Sequence, residues 1–380
     1  MKQTDKFMAS SFWRSLLFTF ISLTTCLGIQ AKKEQEAVSP FIQKGDSCMN
    51  EHDSQHAVFY YKQQLAKYPQ DLETRRKLAS CFRMRGDSKQ CVAVLDSIPT
   101  DSLNHEDLRM FFYSYLNLGD NKNIGLYGWQ ISMKYPNDSE VFAALLSHRN
   151  NIGKPETVSA LALSYVQKQD STNIFINKEL AYSLYLQLRY DQAIPMYKKL
   201  IAQGFDNFES NLVMGLCYYN LENYKEAYPY LQKSVDLKKD NPNMNSLFYL
   251  GMTCKKLSEK EKDIAKKIKL SYDAIKYLEQ SVTVAYPRSR GLYVNQQLGE
   301  LYYKNLNYEK AGHAFAQCIE YDDEDDPHNY YNAAQMYIAA KMKPQAKLYL
   351  QMFLEKANKL NDEKEKAKLT AKAKEQLKNT

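Results

Sequence analysis

Turn-forming residues are scarce in this chain: 13 glycines and 11 prolines in 380 residues, both below average usage. An all-β sandwich needs many tight turns, so this depletion argues against that class at the outset. Tryptophan is nearly absent, with two residues. The sequence holds no phosphate-cradling glycine loop, no nucleophile elbow and no H-E-x-x-H pair, so no common catalytic machinery is announced. There is no C-x-x-C pair either. Beyond residue 31 no apolar run is long enough to span a bilayer. What abounds is Leu, Lys, Ala and 30 tyrosines, a composition of helix formers with an unexplained aromatic surplus.

The first 31 residues read as an export signal rather than part of the fold. Lys2, Lys6 and Arg14 make a positive start, an apolar stretch runs from Ser15 to Gly28, and Ala31 precedes Lys32 and Lys33. A small residue before a charged segment suits cleavage. An uncleaved N-terminal anchor stays open, because the stretch approaches the shortest spanning length. So does a lipoprotein signal with lipidation at Cys26, although Thr25 departs from the Gly, Ala or Ser usual before such a cysteine. Losing Lys2, Lys6, Arg14 and Asp5 takes the formal charge from +7 to +5. The charges are interspersed, as on a solvated helical surface, and demand no nucleic-acid partner. The six later cysteines, Cys48, Cys81, Cys91, Cys217, Cys254 and Cys318, form no clustered framework and are expected as buried free thiols.

Periodicity supplies the architecture. Stepping by 34 from Gly45 meets Ala79, Tyr113, Ser147, Ala181 and Gly215. Twelve residues further along each unit come Ala57, Cys91, Gly125, Ser159, Ala193 and Ala227, all small. Four further on lie Tyr61, Leu95, Trp129, Leu163, Tyr197 and Leu231, all large. Such columns mean one supersecondary unit repeated and stacked. At 3.6 residues per turn, positions 4, 7, 8 and 11 of each first helix form one apolar stripe. The small residues at positions 8 and 20 let the two helices approach, and the large residue at position 24 fills the gap. The later units are expected to place Gly251, Gly299 and Ala334 at position 8, and Ala274, Ala311 and Ala346 at position 20.

These columns resemble the tetratricopeptide repeat family. The sixth unit shows Met214-Gly215-x-x-Tyr218 and Ala227-x-x-x-Leu231, and the eighth shows Leu298-Gly299-x-x-Tyr302 and Ala311-x-x-x-Phe315. Pro69 supplies the terminal proline of the first; the leading Trp of the family pattern is missing throughout. The resemblance implies an all-α, right-handed superhelical solenoid of antiparallel helix pairs. The expected organisation is a signal segment at 1–31, a short linker at 32–37, a solenoid at 38–360 and a charged capping helix at 361–380. Nine units start near 38, 72, 106, 140, 174, 208, 244, 292 and 327. The seventh carries an eleven-residue insertion around 257–268, expected to lengthen both helices into a projecting charged knob.

The resemblance also implies a binding surface, since positions 5, 9 and 12 of the first helices line the concave groove in that family. In the later units those positions hold Lys178, Tyr182, Tyr185, Leu212, Tyr219, Phe248, Met252, Tyr303 and Tyr331. Tyrosine offers contact area and a hydroxyl at low entropic cost, which suits a partner peptide or helix. The family's chaperone-binding members grip a carboxylate terminus with lysine and asparagine. Here Lys178 has no aligned asparagines, so that mode is not expected. His52 and His56 read as turn residues rather than ligands, and Glu320 to Asp326 as a charged linker. The expectation is a non-enzymatic protein-binding scaffold without cofactor or metal, exported to the periplasm or cell surface of a Gram-negative bacterium. A membrane would be touched only through the N-terminal segment. A lipid-tethered subunit of an envelope assembly and a glycan-binding protein are the alternatives.

Overall fold

The structure, a computed structural model, describes residues 39–284 and 288–380; the segment read as an export signal lies outside them. Within them the chain forms nineteen α-helices and two short 3-10 turns, with no strand. They pair in order: α1 (Pro40–Asn50) with α2 (Ser54–Lys67), α3 (Leu72–Met84) with α4 (Ser88–Leu95), and α5 (His105–Leu118) with α6 (Asn121–Lys134). Next come α7 (Ser139–Asn151) and α8 (Pro155–Lys168), then α9 (Ile174–Leu186) paired with α10 (Tyr190–Ala202), and α11 (Phe208–Asn220) with α12 (Tyr224–Asp236). The last pairs are α13 (Met244–Lys260) with α14 (Ile264–Thr283), α15 (Arg288–Lys304) with α16 (Tyr308–Tyr321), and α17 (Pro327–Ala339) with α18 (Lys343–Lys356), before α19 (Glu363–Asn379). Two compact units divide at Leu145 and Leu146.

Helix starts follow from short polar side chains. Asp53, Asp71, Asp87, Asn104, Asp120, Asn173, Asn207, Asn223, Asn243, Asp263, Asn307, Asp326 and Asp362 each cap a helix by accepting from a backbone N–H of its first turn. Such caps satisfy donors that the helix itself leaves orphaned. The acidic run at 320–326 is absorbed the same way. Asp326 caps α17, while Asp325 receives Lys356, Lys359 and the Tyr330 hydroxyl. Those partners, led by Lys356, hold the Asp325 carboxyl far below the usual range. His52 lies in a turn at φ +61°, and Asp53 spends its carboxylate on the His56 N–H at 3.1 Å.

Packing inside the pairs is governed by the small columns. A Cβ added at Gly45 would fall 2.5 Å from the Tyr61 ring, at Gly215 2.5 Å from Leu231, at Gly251 2.8 Å from Leu278 and at Gly299 2.7 Å from Phe315. Each contact joins position 8 of a unit to its own position 24, displaced by the insertion in the seventh. Ala57, Ala79, Ala181, Ala193, Ala227, Ala274, Ala311, Ala334 and Ala346 are fully buried. Backbones meet where side chains are shortest, and the neighbouring large residue fills the remaining volume.

The phase is not uniform through six units, which corrects the sequence reading. In the third and fourth units the buried residues are Ile124, Gly128 and Ile131, then Val158, Ala162 and Tyr165. These lie one residue before the positions equivalent to Ala193, Tyr197 and Leu200. Gly125 therefore has nothing within 4 Å of an added Cβ, and Leu163 is 47% exposed. The same slip shows in the left-handed residue that turns each first helix into its second. It falls at His52, Gly86, Gly119, Gly153, Leu188 and Glu222. Gly86 to Gly119 is thus 33 residues and Gly153 to Leu188 is 35. The physical cause of the first slip is the short α4, whose exit is anchored by buried Ile98 and a 3-10 turn at Thr100–Ser102.

Two such turns, the second of them in the eighth unit, seat leucine in the left-handed region: Leu188 at φ +60° and Leu306 at φ +59°. Both side chains are about 70% exposed, so they return little burial for the steric cost, on the order of 1–2 kcal/mol. Leu306→Gly is expected to stabilise the protein by roughly 1 kcal/mol. The check is a urea titration whose midpoint rises at unchanged slope; a lower midpoint would show that the leucine is held by packing.

The seventh unit's insertion is entirely helical. α13 has 17 residues and α14 has 20, against 13 in each helix of the sixth unit, which accounts for all eleven. Its base is docked rather than free. Lys255, 5% exposed, donates to Gln297 at 2.5 Å and Glu300 at 2.8 Å. At the other end of the chain, α19 buries Ala373 completely and packs Leu369 and Leu377 against Leu350 and Phe353. A reciprocal amide pair, Gln335 with Gln376, pins it at 2.8 and 3.0 Å.

Candidate functional site

The fifth to eighth units carry two groups of contacting aromatic rings, most of them on first helices. On the fifth, Tyr182 stacks on Tyr185 with centroids 6.0 Å apart, and Tyr185 meets Tyr190 at 6.0 Å. A second group crosses three units. Tyr224 meets Tyr219 at 5.4 Å, Tyr219 meets Tyr249 at 5.1 Å, Tyr249 meets Phe248 at 5.1 Å, and Phe248 meets Tyr293 at 5.8 Å. Mostly edge-on and tilted geometries of this kind suit the ring quadrupole. Helical spacing explains the line: residues three and four apart share a face, and stacked units align those faces.

The line ends in a cleft of ≈ 340 Å³ lined by Met244, Asn245, Phe248, Tyr249, Arg290, Tyr293 and Val294. Arg290 donates to Asn245 at 2.5 Å and, among the described residues, is the one charged residue lining the cleft. The wall is therefore aromatic and aliphatic, with a cation at its edge. Burial raises the Tyr185 and Tyr219 phenols well above their ordinary pKa, so near neutral pH both remain hydrogen-bond donors. Burial likewise pushes the Cys217, Cys254 and Cys318 thiols up to about 12, keeping them apolar and unreactive. Cys48 is only half-buried.

The residues anticipated for the groove divide in two. Tyr182, Tyr185, Tyr219 and Phe248 belong to the aromatic line, with Leu212 half-buried beside them in α11. Lys178 is occupied, pairing with Glu209 at 3.1 Å and lying over the Phe205 ring. Met252 and Tyr331 are corrections: at 4% and 8% exposure they sit in the core and cannot line an open surface. Tyr331 packs against Phe353, whose ring is 5.0 Å away. Tyr303 is 52% exposed and contacts Tyr308, away from the line. In the early units the corresponding Met110 and Ser114 are buried as well.

Tyr190, Tyr224, Tyr249, Arg290 and Tyr293 escaped the sequence reading. For Tyr293 a signal existed. It occupies position 2 of its unit, three residues before position 5 and so on the same helical face. Tyr190 and Tyr224 enter from the second helices, and Arg290 from the first turn of α15, ahead of the repeat positions that the period marks. Sequence spacing within first helices contains no trace of Tyr190 and Tyr224.

Paired helices that meet through small residues at repeat positions 8 and 20 define a repeat protein of the tetratricopeptide type. Residues 186–264 match the family model described as anaphase-promoting complex, cyclosome, subunit 3. Among solved structures, the chain is similar to a tetratricopeptide repeat protein from Parabacteroides merdae. The two are 16% identical, the match covers 70% of this chain and 98% of that one, and the TM-score is 0.43. It is also similar to YrrB, described as a TPR protein with an unusual peptide-binding site (17% identity, 57% and 97% coverage, TM-score 0.42). A third similar structure is MamA (21% identity, 49% and 92% coverage, TM-score 0.39). No curated protein matches the chain.

Proposed function

We propose that this protein is a non-enzymatic scaffold that holds a partner peptide or helix against the aromatic line of its fifth to eighth units. The observation that carries the reading is the open cleft beside Phe248, Tyr249 and Tyr293. There an aromatic or aliphatic anchor of the partner would be buried with Arg290 positioned for an acidic neighbour. Rigid aromatic walls lose little entropy on binding, so the affinity concentrates in a few anchors. We further propose, from the N-terminal charge and hydropathy pattern, that the chain is exported to a bacterial envelope.

Two measurements test these statements. Phe248→Ala combined with Tyr293→Ala is expected to remove the partners captured by crosslinking in intact cells, since truncating a buried aromatic anchor costs about 2 kcal/mol or more. Capture of the same partners in the same yield would discard the groove. An alkaline phosphatase fusion at the C-terminus is expected to be active; an inactive, stable fusion would discard export.

A further inference from the structure

The lengthened hairpin of the seventh unit bears a surface that the groove reading does not use. Residues 262–269 are all exposed. Along α14, Ile264, Ile268 and Tyr272 are 75%, 49% and 63% exposed. Their i, i+4, i+8 spacing places them on one stripe about 12 Å long. Between Ile264 and Tyr272 the helix carries Lys266, Lys267 and Lys269 and no acid. At 100° per residue, Lys269 and Lys276 border one side of the stripe and Lys267 the other. The support beneath is firm: besides Lys255, Lys304 reaches Glu259 at 3.2 Å and Asn305 reaches Ser271 at 2.7 Å.

We propose that this stripe is the docking seam for an amphipathic α-helix of a partner protein whose apolar face is bordered by carboxylates. Length and chemistry both fit. Two helical turns of apolar side chain accept the ridge of a second helix, and lysines on both flanks complement acidic flanking positions. A lipid surface fits less well. The hairpin tip holds Glu261, which accepts from the Lys262 and Asp263 N–H groups at 2.8 and 3.0 Å, and Asp263, which caps α14. Insertion would drive those fixed carboxylates toward anionic head groups, while the apolar stripe runs along the hairpin's flank.

The test uses the full chain and two fluorescent synthetic helices of about 20 residues, sharing one leucine seam but flanked by glutamate or by lysine. Anisotropy should show the glutamate peptide binding at least about tenfold more tightly. Ile264→Ser with Ile268→Ser should weaken it by a similar factor at an unchanged melting temperature, and Lys267→Glu with Lys269→Glu should reverse the charge preference. Phe248→Ala should leave this binding intact, which separates the seam from the groove. Equal affinity for both peptides, or full binding by the isoleucine variant, overturns the proposal. So does isoleucine-dependent co-sedimentation with phosphatidylglycerol vesicles, which would make lipid the occupant.

Discussion

Gly215→Ala is expected to destabilise the protein by about 1–3 kcal/mol through overpacking, and Gly215→Phe to do so more severely. The new Cβ would lie 2.5 Å from Leu231 Cγ and 3.2 Å from the Leu231 backbone nitrogen, and a backbone atom in a packed helix has nowhere to retreat. Gly125→Ala should do the opposite. Nothing lies within 4 Å of its added Cβ, and replacing a helix-interior glycine by alanine gains roughly 0.5–1 kcal/mol. Urea unfolding of both variants decides the matter, and the pair tests the one-residue slip directly. If Gly125→Ala were the harmful change and Gly215→Ala neutral, the register described here would be wrong.

Asp138→Ala is expected to cost about 3–5 kcal/mol, the usual effect of breaking one side of a buried pair. Its side chain is 3% exposed and receives both oxygens' worth of Arg109 Nη1 at 2.7 Å, His105 Nε2 at 2.8 Å and the Val141 N–H at 3.1 Å. Glu140, which takes Arg109's other Nη at 2.7 Å, is 71% exposed. Glu140→Ala should therefore cost only about 0–1 kcal/mol. Burial works against ionisation of Asp138, yet the Arg109, Val141 and His105 hydrogen bonds outweigh it and depress its pKa. A depressed folded pKa means stability that is fully present above the unfolded value, about 3.9, and lost as pH falls through the folded one. The gap between wild type and Asp138→Asn should hence be constant near neutrality and shrink below about pH 4. A gap that widened in acid would refute the assignment.

How far the fold was legible follows from these residues. Gly215, Ala227 and Leu231 were readable because helix contact imposes a size rule on single positions, and a size rule survives in composition. The insertion was readable because Ala274 falls eleven residues late. The slip at the third and fourth units was not. Gly125 faces open space and Ser159 accepts from Gln187 at 3.0 Å, and both imitate the column that Ile124 and Val158 fill. The aromatic line was half legible. Tyr182, Tyr185, Tyr219 and Phe248 share a helical face that periodicity reveals. Whether such a face stays open depends on what the neighbouring helix lays over it, and that is how Met252 and Tyr331 entered the core.

Sequence alone determined the all-helical repeat, the helix-lengthening insertion and most of the small positions where helices cross. These are local or near-local properties, set by propensity and steric size. Tertiary structure alone decided the register of the middle units, the burial of Lys255, and the meeting of Tyr249, Arg290 and Tyr293 around one cleft. Those depend on distances between residues on different helices, which accumulate over whole turns and connections, and no pattern within a single helix encodes them.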